Sequence, residues 1–208
     1  EYAVRELRPL LPKTPILLGY NATEPCESMA DAIRWVKDAG YEGIVNFPTV
    51  GLIDGQFREA LEEEGVCYRQ EVEAIRLAHE MDLFTIAHVF DEQQARWMLE
   101  AGADVICAHF GFALGGVLGA KESKSLTEAA RFAKRIFDVC EEMRSNALRM
   151  VYGGPIITPI DAQFFYDNTS CQGIIGGSCF DRVPIERSVY NTTLAFKNVG
   201  DFDVNNKY

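Results

Sequence analysis

The sequence predicts an α/β protein built on a parallel sheet and arranged as the greater part of a (β/α)8 barrel, the TIM-type architecture. Short apolar runs alternate along the chain with amphipathic stretches. The runs are continuously apolar, as expected for strands whose two faces are both buried. The connections are short, which favours right-handed crossovers between parallel strands. The runs that we interpret as strands span residues 15–20, 43–47, 83–90, 104–109, 149–152 and 172–175.

The stretches between the strands have the spacing of helices. A helix is predicted over residues 2–11, ahead of the first strand. Met29, Ile33 and Val36 follow the i, i+4, i+7 spacing of one helix face, and a stripe that begins at Leu126 continues this spacing over a longer helix.

Capping signals mark where these helices begin and end. Ser125 and Glu128 have the spacing of a capping box at a helix start. Gly40 and Gly102 each follow a helical stretch and precede a strand, the position at which a left-handed residue ends a helix.

The pattern contains about six strand–helix units, and this number decides between two architectures. An open doubly wound sheet satisfies the alternation, but glycine-rich turns after the last two strands favour a barrel. Because a complete barrel has eight strands, we expect that the first two βα units are absent from this chain. We interpret 1–208 as a single domain, with a polar tail at 198–208.

The composition excludes some classes of partner. The formal net charge is -11 and the sequence pI is near 4.8, so no basic surface is expected for nucleic acid or for an anionic membrane. The six cysteines have irregular spacing and no C-x-x-C pair. We expect reduced thiols and a cytoplasmic location.

Ligands of parallel α/β folds bind outside the carboxyl ends of the strands, so the junction after each strand is a candidate site. His109 ends the fourth predicted strand, where an imidazole could move a proton or donate to a carbonyl. The following loop contains Gly115, Gly116 and Lys121 and could close over an anionic ligand. The alternative is a structural histidine under a flexible loop. His88 holds a similar place and is a weaker candidate.

Two glycine pairs follow the last two strands. Gly153 and Gly154 come after the fifth strand, and Gly176, Gly177 and Ser178 come after the sixth. Glycines let the backbone approach a ligand closely and present its N–H groups, so the two turns together predict an anion-binding cradle. The alternative is a pair of tight turns.

The junction after the second strand supplies polar candidates. Asn46 and Asp54 could face the site, and Glu71 with Asp54 and Glu122 could bind Mg²⁺ through oxygen ligands. The alternatives are an Asp-Gly turn at Asp54 and a solvated helix start at Glu71. His79 lies on a helix face and is interpreted as a packing residue.

Four segments carry a family resemblance. The string NFPTVGLIDGQFR at 46–58, EVEAIRLAH at 71–79, AGAD at 101–104, and the turns GGP and GGS at 153–155 and 176–178 resemble the phosphoenolpyruvate hydrolase-like TIM barrels. That family also occurs as the C-terminal barrel of Tm-1-like proteins, and some members are labelled phosphonopyruvate hydrolases.

The resemblance implies an enzyme that acts on a small phospho- or 2-oxo acid as a hydrolase or lyase, with Mg²⁺ and as a homo-oligomer. In that reading His109 is the acid or base, Asp54 and Glu71 hold the metal, Lys121 closes over the ligand, and the glycines hold its anionic group.

The sequence departs from the family pattern at three places. Tyr152 stands where the family has histidine, Ala113 and Leu114 replace two threonines, and 177–179 reads Gly-Ser-Cys in place of Ala-Ser-Ser. The lost imidazole and hydroxyls leave open an alternative: a catalytically inactive barrel that senses a ligand or acts as a scaffold.

Overall fold

A computed structural model describes residues 2–24 and 28–199 of the chain. Their central feature is a six-stranded, fully parallel sheet in the order β1-β2-β3-β4-β5-β6. Each predicted apolar run forms one of its strands. The strands are β1 Leu17–Gly19, β2 Gly43–Val45, β3 Phe84–Val89, β4 Val105–His109, β5 Leu148–Tyr152 and β6 Gly173–Ile175.

Helices follow the strands in the alternating pattern that the sequence predicts. They are α1 Met29–Asp38, α2 Gly55–Glu63, α3 Tyr68–Glu80, α4 Glu92–Glu100, α5 Leu126–Glu142, α6 Pro159–Asn168 and α7 Val183–Lys197. A 3-10 turn at Val50–Leu52 precedes α2. The helix predicted over 2–11 is shorter than expected, a π-helical turn at Ala3–Leu7. Of the predicted tail, residues 200–208 lie outside the described residues.

The predicted helix boundaries have the expected local chemistry. At the start of α5, the Ser125 hydroxyl accepts from the Glu128 amide, and the Glu128 carboxylate accepts from the Ser125 amide. Gly40 and Gly102, beyond the ends of α1 and α4, have φ angles of 88° and 87°. Glycine adopts this left-handed conformation without the steric cost that a Cβ imposes.

The two faces of the sheet have different surroundings. Ile44, Ala87, Ile106 and Val151 are buried in the core between the sheet and its helices. Residues one step along each strand point to the opposite face, which in a closed barrel is the interior. Phe84, on that face, is 40% exposed. The described residues therefore form a parallel half-barrel whose inner face is partly open.

Two expectations concern properties of the whole chain. The five cysteines in the described part of the chain are free thiols, and Cys26 lies outside it. No described helix combines the length and the apolar character that are needed to cross a bilayer.

Candidate functional site

Three aromatic side chains meet where β3, β4 and β5 end. His109 pairs with Tyr152 across the β4–β5 ladder, and His88 pairs with Cys107 across the β3–β4 ladder. This register places all three rings on the inner face of the half-barrel. The ring centroids are 5.0 Å apart for His88 and His109, 4.5 Å for His109 and Tyr152, and 5.3 Å for His88 and Tyr152.

A cavity of about 200 Å³ opens beside this cluster on the inner face. It extends from β2 across to the turn after β6, because the curvature of the sheet brings these strand ends towards each other. Its lining is Val45, Phe47, Ile86, His88, Tyr152, Ile175, Gly176 and Gly177. The lining contains neither a cationic nor an acidic side chain. Its polar side-chain groups are an imidazole and a phenol.

The observed position of the Tyr152 ring requires glycine at position 177. A Cβ placed on Gly177 would lie 2.6 Å from the Tyr152 hydroxyl oxygen, closer than real Cβ contacts allow. Burial raises the pKa of Tyr152, and the nearby Cys179 and Asp181 raise it further. At neutral pH the phenol is therefore protonated and can donate a hydrogen bond to a ligand in the cavity.

The turn after β6 also offers backbone donors. Gly177 O accepts from the amides of Phe180 and Asp181, at 2.8 and 3.2 Å, which holds the turn in place. Within residues 2–24 and 28–199, the N–H groups of Gly176, Gly177 and Ser178 make no hydrogen bond. Successive free N–H groups of this kind can bind an anion.

His109 is positioned behind the cavity and does not line it. Its ring is 3% exposed and lies against Phe90, His88 and Tyr152. The Gly111 amide donates to Nδ1 at 3.0 Å, so the proton of the neutral ring is on Nε2. Nε2 has no partner in the described part of the protein. Burial, with a smaller contribution from His88, lowers the pKa of His109 to about 3.

His88 faces the cavity and has a rigid backbone. Its amide donates to Asn46 Oδ1 at 2.7 Å, and its carbonyl accepts from Asn46 Nδ2 and from the Tyr68 hydroxyl at 3.1 and 2.6 Å. The side-chain Nδ1 is buried and has no partner among the described residues. Burial lowers the pKa of His88 to about 4, so this ring is also neutral at physiological pH.

Glu71 is a buried structural acceptor in this arrangement. It is 1% exposed, and its carboxylate accepts from Asn46 Nδ2 at 2.6 Å, from the Thr49 hydroxyl and from the Val50 amide at 2.8 Å. Burial raises the pKa of Glu71 to about 7 and outweighs the lowering by these donors. Asn46 thus connects Glu71 to the backbone of His88.

The residues expected to bind Mg²⁺ do not fit the ion. Both Glu71 oxygens are occupied by protein donors, whereas Asp54 is exposed at the start of α2. No group of three or more His, Cys, Asp or Glu side chains in the described part is arranged to hold a metal. An octahedral ion needs open oxygen ligands, which the Glu71 carboxylate does not offer.

Gly153 and Gly154, after β5, form a tight turn, which is the alternative to an anion-binding cradle. The Gly154 amide donates to Gly111 O at 3.2 Å, so it is not available to an anion. A Cβ on Gly153 would lie 2.2 Å from Gly111 O. The pair thus packs the turn after β5 against the loop after β4.

That loop is held by α7. Arg182 Nη2 donates to Gly115 O at 3.1 Å, and Glu186 accepts from the Val117 amide at 2.7 Å. A Cβ on Gly116 would collide with both side chains. Gly115 and Gly116 therefore contact protein groups in this conformation. Lys121, farther along the loop, is exposed.

Only some of the residues predicted from the sequence line the cavity. It brings His88, Gly176 and Gly177 to one cavity with Tyr152, and it places His109 and Asn46 behind that cavity. Tyr152 entered the sequence argument only as a departure from a family pattern. Strand alternation alone could have placed it on the inner face if the register between strands had been known.

These features define a class of protein: a parallel α/β half-barrel with a small cavity at the carboxyl ends of its strands. The phosphoenolpyruvate hydrolase-like family model matches residues 1–199, and this chain belongs to that family.

Curated relatives are consistent with this assignment. The ToMV susceptible protein tm-1(GCR26) and the ToMV resistance protein Tm-1(GCR237) of Solanum lycopersicum are each 37% identical to the chain over 195 residues. The match covers 93% of this chain and only 26% of each tomato protein.

Among solved structures, the catalytic lysine mutant of Ruminococcus gnavus sialic acid aldolase has a TM-score of 0.53 at 16% identity, covering 78% of this chain and 52% of the aldolase. A provisionally named phosphonomutase from Burkholderia cenocepacia J2315 has a TM-score of 0.50 at 13% identity, covering 78% and 68%. At these identities the two structures support the fold alone.

Proposed function

We propose that this chain carries the active site of an enzyme of the phosphoenolpyruvate/pyruvate TIM-barrel superfamily. Its ligand is a small phospho- or 2-oxo acid, which it hydrolyses or cleaves. One observation carries the proposal: the neutral side chains of His88 and Tyr152 line the same cavity as Gly176 and Gly177, whose N–H groups make no hydrogen bond within the described residues. Family membership supplies the ligand class.

Each group has a distinct role in this proposal. The amides of Gly176, Gly177 and Ser178 bind the carboxylate or other anionic end of the ligand. Tyr152 donates to an oxygen at which negative charge develops, an interaction that is strong in a cavity of low polarity. His88 contacts the ligand, whereas His109 supports the Tyr152 and His88 rings from behind. Closure of Lys121 over the ligand remains a prediction.

Binding and turnover should be measured together. Calorimetry with pyruvate, oxaloacetate, phosphonopyruvate and phosphoenolpyruvate, with and without Mg²⁺, tests binding, and release of pyruvate or phosphate tests turnover. His88→Gln should weaken binding, while His79→Gln, on the exposed face of α3, should leave it unchanged. Absence of binding by every ligand, or equal effects of the two variants, would refute the proposal.

A second candidate is a ligand-sensing barrel without turnover. The observation that favours it is the burial of both histidines, which lowers the pKa of His88 to about 4 and of His109 to about 3. General acid–base catalysis is most efficient when the pKa lies near the operating pH, and the side chains that line the cavity supply no such group. Tight binding without product release under every condition above would favour this candidate over the enzyme.

A cytoplasmic homo-oligomer is the expected state. Helix α7 supports assembly because several of its large apolar side chains are more than half exposed, namely Ile185, Val189, Tyr190 and Phe196. Exposed apolar clusters of this kind often mark protein interfaces. Sedimentation velocity tests the expectation, and a strictly monomeric species at all concentrations would contradict it.

A further inference from the structure

The cavity beside His88 and Tyr152 contains no positive charge. Its lining consists of apolar groups, an imidazole, a phenol and backbone. The Arg182 guanidinium, at the N-cap of α7, donates to Glu186 at 3.0 Å and to Gly115 O at 3.1 Å. Asp181 lies close enough to raise the pKa of Tyr152, so the ionisable groups near the phenol are acidic.

This electrostatic setting discriminates between ligands by their charge. A carboxylate with one negative charge can be accommodated by a few amide donors. A phosphate or phosphonate group adds at least one further charge, and the free energy needed to remove a charge from water must be offset by a cation or by many more donors. The lining of the cavity contains no cationic side chain, and the Asp54–Glu71 pair does not fit a divalent ion that could supply the charge.

The donors that are present match one chemical group. The Tyr152 hydroxyl is a neutral donor next to Gly177. Three free amides follow within the same turn, at Gly176, Gly177 and Ser178. A carbonyl oxygen adjacent to a carboxylate presents one neutral and one charged acceptor a short distance apart, as this set of donors requires.

We propose that the cavity selects a compact 2-oxo acid with a single negative charge over phosphorylated ligands, and that it binds this acid without a divalent cation. The inference rests on the proposed function, because it assigns a ligand to the same cavity. It narrows the ligand class to one that the neutral lining can accommodate.

The test compares ligands that differ in charge but little in size. Oxamate and oxalate form such a pair, with one and two negative charges. Pyruvate and phosphoenolpyruvate form a second pair, which differs in size as well as in charge. By calorimetry at neutral pH, oxamate should bind at least about tenfold more tightly than oxalate, as expected when one extra charge enters a site without a counter-charge. Pyruvate should likewise bind more tightly than phosphoenolpyruvate, and Mg²⁺ should leave both ratios unchanged.

A second experiment adds a positive charge beside the free amides of the turn after β6. Ser178→Lys places a cation beside the free amides and should reduce or invert the preference for oxamate. Ser188→Lys adds the same charge on the exposed surface of α7 and serves as the matched control. Circular dichroism checks that both variants are folded. If either variant is unfolded, the affinity ratios of the wild-type protein decide the test by themselves.

The outcomes separate the inference from the proposed function. Preferential binding of oxalate or phosphoenolpyruvate, or a preference for them that appears with Mg²⁺, overturns the inference and leaves the proposed function in place. Absence of binding by all four probes overturns both. A preference for the singly charged probes that Ser178→Lys alone removes supports the inference.

Discussion

Mild acid should destabilise this protein through its two buried imidazoles. In the unfolded chain a histidine has a pKa of about 6.5, whereas in the folded protein burial lowers the pKa of His88 to about 4 and of His109 to about 3. As the pH falls below 6.5, the unfolded chain binds protons that the folded protein does not. The stability contributed by these residues is therefore complete above pH 6.5 and is lost as the pH falls towards their folded pKa values.

The magnitude follows from proton linkage. Each imidazole removes about 1.4 kcal/mol of unfolding free energy per pH unit below pH 6.5. Glu71 has the opposite sign, because burial raises its folded pKa to about 7, above the unfolded value. Its contribution is complete below the unfolded pKa and is lost as the pH rises through 7. As the pH falls from 6.5 to 5, Glu71 adds about 1.4 kcal/mol per pH unit to the free energy of unfolding, while the two imidazoles together remove about twice that amount. The net loss of unfolding free energy is therefore about 1.4 kcal/mol per pH unit.

Urea unfolding at a series of pH values from 5 to 7 measures this slope. His109→Gln removes one imidazole and should make the slope nearly flat. His79→Gln should keep the wild-type slope, because this third histidine is exposed. Equal slopes for the two variants would show that burial does not lower the pKa of His109, and the neutral ring behind the cavity would be refuted.

Three substitutions test the packing around the site. Gly177→Ala should lower the free energy of unfolding by about 1–3 kcal/mol because of overpacking. Adding Tyr152→Phe to this variant should recover most of the loss, since the contact at 2.6 Å is with the hydroxyl oxygen. Lack of recovery in thermal melts would contradict the placement of Tyr152. Glu71→Ala should lower the free energy of unfolding by about 3 kcal/mol or more, because it leaves buried donors unpaired. Glu73→Ala, on the exposed surface, should lower it by less than about 1 kcal/mol. Similar urea midpoints for the two variants would exclude a structural role for Glu71. Phe165→Ala should cost about 3–5 kcal/mol, because the ring is fully buried, and a loss below 1 kcal/mol by the same assay would show that the core relaxes around it.

The order of the strands and helices could be predicted from the sequence because each signal is local. Apolar runs, capping boxes and left-handed glycines depend on neighbouring residues, and the strand order of a parallel sheet follows from short crossovers. The Ala3–Leu7 turn was less predictable. Most of its residues are only half-buried or exposed, so an apolar pattern specifies its length weakly.

The site was harder to predict because it depends on register between strands. His88 and His109 both end strands, and the sequence favoured His109. The observed register pairs His109 with Tyr152, whose ring covers it, and leaves His88 at the cavity. His88 pairs with Cys107, two positions before His109, and this register depends on packing across the whole sheet, which no short window of sequence reports.

Glu71 shows a similar limit. An acidic residue in the first turn of a helix is most simply explained by the helix dipole, and solvent or a metal was expected around it. Its actual partners, Asn46, Thr49 and Val50, come from the loop after β2, more than twenty positions earlier. These groups donate hydrogen bonds to Glu71 only because the fold brings α3 against that loop.

The cavity also concentrates groups that cost stability. Buried polar atoms in folded proteins nearly always have partners, yet Nδ1 of His88 and Nε2 of His109 have none in the described part of the protein. Each such atom costs about 1–3 kcal/mol, and the two occur side by side at the carboxyl ends of neighbouring strands. A residue set chosen for stability alone would place apolar side chains there. The local cost is understandable if the neutral His88 ring contacts a ligand and the neutral His109 ring supports it, because neither ring then adds a charge at the uncharged cavity.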